Sequence, residues 1–335
     1  MRDDAPPGGG WLGGFAPVDL GRRRVLHPGP LRWARALGWM ILLVFVVALA
    51  FGPSMEWLGR RLGDDPPHQL LVRALGGLIV LASYVLLVWL GEGRTPTELS
   101  AKAAPAGLLA GAVIGAAAFA AVMAIMIVFH LYDVQVLGPA PAWRGAGLAL
   151  QTAIFEEVIS RAIVLRLIWR AFGPWPALAI SAALFGAGHI GNPGATVFTT
   201  ACIAIEAGVM LAAFYALTGR LWVSIGFHAA WNFTQGYLFG AAVSGSDFGP
   251  AVARSTARPG VPGWLTGGGF GPEASLPSVA ICSALGLATL WLAWRAGRLS
   301  PSPDPQGAAR GLGAATSYDR MADDPNERSR GEHHA

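Results

Sequence analysis

Charge is what this chain has least of: Asp, Glu, Lys and Arg make up 13% of its 335 residues, about half the ~25% of an ordinary globular chain. A soluble fold of this length covers its surface with charge, so that class is excluded. Lysine is almost missing, Lys102 being the only one. Together with the richness in Ala, Gly and Arg, this points to a GC-rich bacterial genome. Cysteine is nearly absent as well. Cys202 and Cys282 lie in apolar stretches without ligand-like spacing, so neither a disulfide framework nor a zinc knuckle is readable from them. A secretory signal is not expected, because the first apolar run begins only around Trp33, after a polar Gly/Pro-rich stretch.

What the chain does have is apolar length. Hydrophobic residues reach 53% and the mean hydropathy is +0.48, too apolar for a disordered chain. The net charge is +4, but the arginines gather at the ends of apolar runs and not in a patch interleaved with aromatics, so no nucleic-acid partner is expected. Eight runs approach the ~20 apolar residues that a bilayer core requires: about 35–58, 70–91, 105–132, 146–170, 174–191, 195–218, 221–242 and 276–298. The expected fold is an all-α polytopic membrane bundle of about eight transmembrane helices.

The domain reading follows. Residues 1–32 form a disordered N-terminal tail, 33–144 the first transmembrane helices and 145–242 a core of spans four to seven. Residues 243–275 form a long loop, 276–299 the last span, and 300–335 a disordered C-terminal tail. Arg22, Arg23, Arg24, Arg32 and Arg35 precede the first span, and Arg295 and Arg298 follow the last. The positive-inside rule then puts both termini in the cytoplasm, with the bacterial inner membrane as the expected location. Arg60, Arg61 and Arg73 run against this assignment, although Asp64 and Asp65 accompany them.

Ionisable groups inside a membrane are costly, by ~2.5–3.5 kcal/mol each on insertion scales, and they mark function. Here they cluster: Glu156, Glu157 and Arg161 in span four, His189 in span five, His228 and Asn232 in span seven. At 1.5 Å per residue, Glu156 and His189 lie ~21–22 Å from the cytoplasmic ends of their spans, and His228 and Asn232 ~12 and ~18 Å. One layer therefore holds carboxylate, imidazole and amide, with His228 and Asn232 nearest the cytoplasmic mouth. Glu157 and Arg161 are i,i+4 and about 40° apart, in the favourable order for a buried ion pair. Glu156 points away from that pair and is left to face the histidines. Phe185 shares a face with His189.

FEEVISR, FGAGH and HAAWN resemble the three motifs of the CPBP intramembrane proteases, the family of CAAX prenyl endopeptidases and of bacteriocin-processing or abortive-infection proteins. The resemblance covers roughly residues 94–240, including a linker, GRTPTELS, similar to the family's. The later WLTGGGFGPEAS also resembles a loop of many bacterial members. The resemblance implies an intramembrane endopeptidase acting on membrane-associated peptides or proteins. In it Glu156 and His189 activate the attacking water, while His228 and Asn232 contact the oxyanion or complete the site. Glu157, Arg161 and Phe185 support them. Whether a metal takes part is left open. Glu156, His189 and His228 could ligate Zn2+ with an open water position, yet the His-Glu-x-x-His spacing of common zinc proteases is missing.

Blander readings stand beside this one. Asn232 could be interhelical glue, and Glu206 in span six reads by default as a helix-pairing residue. The tryptophans read as interfacial anchors. A non-catalytic relative acting as immunity factor, scaffold or membrane chaperone is the alternative function. A proton-relay transporter would require repeats or broken helices, and no repeat is visible.

Overall fold

The computed structural model describes residues 15–63 and 65–299. Eight helical runs follow one another there: α1 (Arg32–Leu62), α2 (Pro66–Glu92), α3 (Ala104–Val128) and α4 (143–172). They continue with α5 (Pro174–Ala187), α6 (Val197–Thr218), α7 (222–238) and α8 (Leu276–Arg295). The fold is an all-α membrane bundle. By length and composition α1, α2, the stretch Thr97–Val128, α6 and α8 can each cross a membrane, and α5 is a shorter apolar helix. Large apolar side chains such as Ile41, Phe45, Leu109 and Val113 face outward, an arrangement that lipid tolerates and water would not. α4 differs because Glu156, Glu157, Arg161, Arg166 and Arg170 interrupt its apolar sequence.

Three elements depart from expectation. α5 stops at Ala187, not at 191, because Gly188, Gly191, Pro193 and Gly194 follow in quick succession and cannot sustain a helix. His189 therefore sits in the turn beyond α5. The bundle also carries a two-stranded antiparallel ribbon, β1 (Tyr132–Val136) with β2 (Ala253–Ala257), Tyr132 pairing with Ala257. It ties the end of α3 to the long loop, which has ordered structure of its own. Finally, residues 15–31 belong to the fold and not to a disordered tail. Residues 15–31 pack on the bundle, Leu26 is buried, and Arg170 donates to the Gly21 carbonyl at 2.7 Å and to that of Leu26. The tail expectations for 1–14 and 300–335 lie outside the described residues.

Small residues bring the site helices together. α3 carries Gly107, Gly111 and Gly115 at four-residue spacing, and all three face α7. A Cβ on Gly111 would lie 2.2 Å from the Val223 carbonyl oxygen, and one on Gly115 2.4 Å from that of Phe227. Gly226 of α7 returns the contact, 2.4 Å from the Leu108 oxygen. Such backbone-to-backbone approach is how helices bind in lipid, where apolar burial gives no drive. It fixes the depth and rotation of α7, which carries His228 and Asn232. Gly111→Val is therefore expected to cost at least the ~1–3 kcal/mol of overpacking, read as a lower melting temperature and folded yield in detergent.

The end of the bundle where α1, α5 and α7 begin and α2, α4, α6 and α8 finish is held by ions. Glu92 accepts from Arg166 at 2.6 and 2.9 Å, from Trp39 at 3.0 Å and from Arg94 at 2.7 Å. Arg94 also reaches Glu98 at 2.8 Å and Asp19 at 3.3 Å. The linker GRTPTELS thus supplies both signs of charge to this basic end.

Candidate active site

The first motif is built where α4 changes pitch. α4 is α-helical over Trp143–Glu157, π-helical over Val158–Leu165 and α-helical again over Arg166–Phe172. Such insertions cluster at functional positions, because the wider turn re-aims side chains. Two more lie nearby: Ala204–Val209 in α6 and Thr234–Leu238 in α7.

Glu157 is fully buried, and its Oε1 accepts from Arg161 at 3.0 Å and from His228 Nδ1 at 3.0 Å. Arg161 passes its other nitrogen to the Ala207 carbonyl at 2.6 Å, which fastens α4 to α6. Phe185 lies over the guanidinium, 4.5 Å from ring centroid to Cζ, and its ring is 5.0 Å from that of His189. Glu157 therefore does two jobs. The spacing indicates the pairing with Arg161, and only the structure reveals the hold on His228.

Glu156 points the other way. Its Oε2 lies 3.9 Å from His189 Nε2 and 3.9 Å from His228 Nε2, and it makes no hydrogen bond to the protein. The Nδ1 atoms of both rings are engaged elsewhere. His189 Nδ1 is 2.8 Å from the Phe185 carbonyl oxygen, which only accepts, so that nitrogen carries the proton. His228 Nδ1 is held by Glu157. Both imidazoles thus present Nε2 to the same carboxylate. The Glu156 side chain is 24% exposed and that of His189 12%, whereas His228 and Asn232 are buried. Glu156 is thus the most open of the four side chains, while those of His189 and His228 are nearly equally covered, at 12% and 10%.

His189, His228 and Asn232 line one cavity of about 40 Å³, room for about one water molecule. Two carboxyls that the motifs do not include also line it. Glu206, in the π-helical part of α6, accepts from Ser278 Oγ at 2.7 Å and so links α6 to α8. Glu273 arrives from the long loop, its Oε1 taking both the Ser244 N–H and Oγ at 2.7 Å. Burial pushes the Glu273 carboxyl above its usual range, against the Ser244 hydrogen bonds and nearby His189, which pull it down. Glycine makes this loop possible. Gly271 has φ +125, and a Cβ on it would meet the Ala242 oxygen at 2.2 Å. Sequence reasoning missed Glu273. The available signal was one acid at the end of the glycine-dense GGGFGPE.

The donor set of Glu156, His189 and His228 has the chemistry of a zinc site, with each Nδ1 tied to an oxygen as such ligands require. The spacing does not fit. A tetrahedral ion with ~2.0–2.1 Å bonds sets its ligands about 3.3 Å apart, and these stand at 3.9 Å. Among the described residues, no three His, Cys, Asp or Glu side chains are grouped closely enough to hold a metal.

Residues 138–234 match the family described as type II CAAX prenyl endopeptidase Rce1-like. That segment contains all three motifs and is similar to that family, the resemblance that the motifs carry. The match supports a peptidase role in a membrane. Comparison with curated proteins and with solved structures finds no match.

Proposed function

We propose that this protein is an intramembrane endopeptidase that hydrolyses peptide bonds of membrane-associated peptides or proteins with water activated by Glu156. The observation that carries this reading is one carboxylate oxygen facing two imidazole Nε2 atoms at 3.9 Å each, beside a buried amide, Asn232. Glu156 takes a proton from the water, whose other partner is the unprotonated Nε2 of His189. The hydroxide adds to the scissile carbonyl carbon. The oxyanion then receives hydrogen bonds from Asn232 and from His228, whose positive charge Glu157 stabilises. Glu156 returns its proton to the leaving amine as the C–N bond breaks. Because Glu156 stands 3.9 Å from each histidine, wider than a zinc ion sets its ligands, chelators are expected to leave cleavage unchanged. Loss of cleavage that zinc restores would replace this scheme with a metal-bound one.

Location belongs to the same proposal. The arginines of the basic end support a cytoplasmic placement of both termini in a bacterial inner membrane. Cysteines placed at Pro17 and Arg298 should then react with an impermeant reagent only in opened cells. The function itself is tested by comparing the peptides of membranes that contain wild-type protein with those containing Glu156→Gln. A defined set of intact peptides should accumulate with the variant. Identical peptide profiles would remove the assignment.

A further inference from the structure

A second cavity, of about 890 Å³, lies at the basic end, roughly 21 Å from Glu156 along α4, and the proposed reaction does not use it. Its walls come from residues 17–23, Glu92 at the end of α2 with Gly93–Thr95 after it, Arg170 near the end of α4 and Arg298 after α8. Five arginines line it (Arg22, Arg23, Arg94, Arg170 and Arg298) against two acids, Asp19 and Glu92. Both acids are already engaged, Glu92 by Arg166, Trp39 and Arg94 and Asp19 by Arg94 and the Gly21 N–H. Arg94 is used up by the same acids and Glu98.

The remaining arginines form no ion pair among the described residues. Arg22 and Arg23 are exposed and form no ion pair among the described residues. Arg298 forms none either, and its Nε is a buried N–H without a partner. Arg170, itself 6% exposed, gives its terminal nitrogens to the uncharged Gly21 and Leu26 carbonyls and leaves a buried Nε without a partner. A cavity of ligand size walled by such guanidinium groups calls for an anion, and guanidinium matches phosphate best. The depth identifies its source. Exposed tryptophans ring this end: Trp33 at the start of α1, Trp89 near the end of α2, Trp175 at the start of α5, and Trp291 and Trp294 near the end of α8. Indole rings collect at the headgroup layer. We propose that this cavity binds the phosphate headgroup of an anionic membrane lipid.

The test uses full-length protein in neutral detergent, with lipid retention read by native mass spectrometry. Phosphatidylglycerol should bind in preference to phosphatidylcholine. At about fivefold per arginine, the combined variant Arg22→Gln/Arg23→Gln/Arg298→Gln should bind phosphatidylglycerol on the order of a hundredfold more weakly. Arg298→Gln alone should lose about fivefold, which keeps the proposal testable if the triple variant does not fold. Arg60→Gln/Arg61→Gln, at the far end of α1, should bind like wild type. Equal retention of the two lipids, or an equal loss in the far-end variant, would overturn the site. Displacement of phosphatidylglycerol by millimolar inorganic phosphate would overturn the lipid as its source.

Discussion

Glu156→Gln is expected to slow cleavage by about 10²–10⁴-fold while melting temperature and folded yield stay at wild-type values. The substitution keeps the shape of the side chain and removes its ability to take a proton. Nothing in the fold rests on that group, since its Oε2 makes no hydrogen bond to the protein and its side chain is 24% exposed. The measurement is turnover by liposome-reconstituted protein of a peptide that accumulates with the variant. His189→Ala should fall by a similar factor, because it removes the other acceptor facing the water. Turnover within threefold of wild type in Glu156→Gln would transfer the base role to another group.

The neighbouring substitution should fail differently. Glu157→Gln replaces the one carboxylate that holds both Arg161 and His228. It leaves Arg161, fully buried and tied otherwise, among the described residues, to the Ala207 carbonyl and the Phe185 ring, without its counter-ion. Breaking one side of a buried pair costs about 3–5 kcal/mol. A loss of that size should appear as a large drop in folded yield and melting temperature. Any folded remainder should also turn over slowly, because His228 loses its orienting partner. Thermal melts alongside turnover per folded molecule separate the two effects. A variant with wild-type stability and only reduced turnover would mean that the two glutamates have exchanged roles.

How much of this was legible depended on how local each interaction is. The eight runs were readable because apolar length is a property of contiguous sequence. Glu157–Arg161 was readable because four residues close one helical turn. That Glu156 faces the histidines followed from the same arithmetic. The hold of Glu157 on His228 was not readable, because it depends on the rotation of α7 against α4, and Gly111, Gly115 and Gly226 set that rotation through α3. The end of α5 lies before the expected 191 because the Gly and Pro of GAGHIGNPG outweigh the apolar content of the run. Depth counted along straight helices does not hold for His189, which lies in a turn, and it does not foresee that Glu273 of the long loop lines the cavity. Neither Glu273 nor the pairing of Glu92 with Arg166 is readable locally, although Arg94, two residues on, also holds Glu92. The first gains its place from a glycine-built loop, and the second joins residues 74 positions apart.

The most direct test is hydrolysis itself, watched in ¹⁸O-labelled water. Purified wild-type protein in liposomes is given the accumulated peptide, and the fragments are weighed. Wild-type protein should give two fragments, with one ¹⁸O atom in the new carboxyl terminus, and Glu156→Gln should leave the peptide intact. Intact peptide with both proteins, or equal cleavage by both, would contradict it.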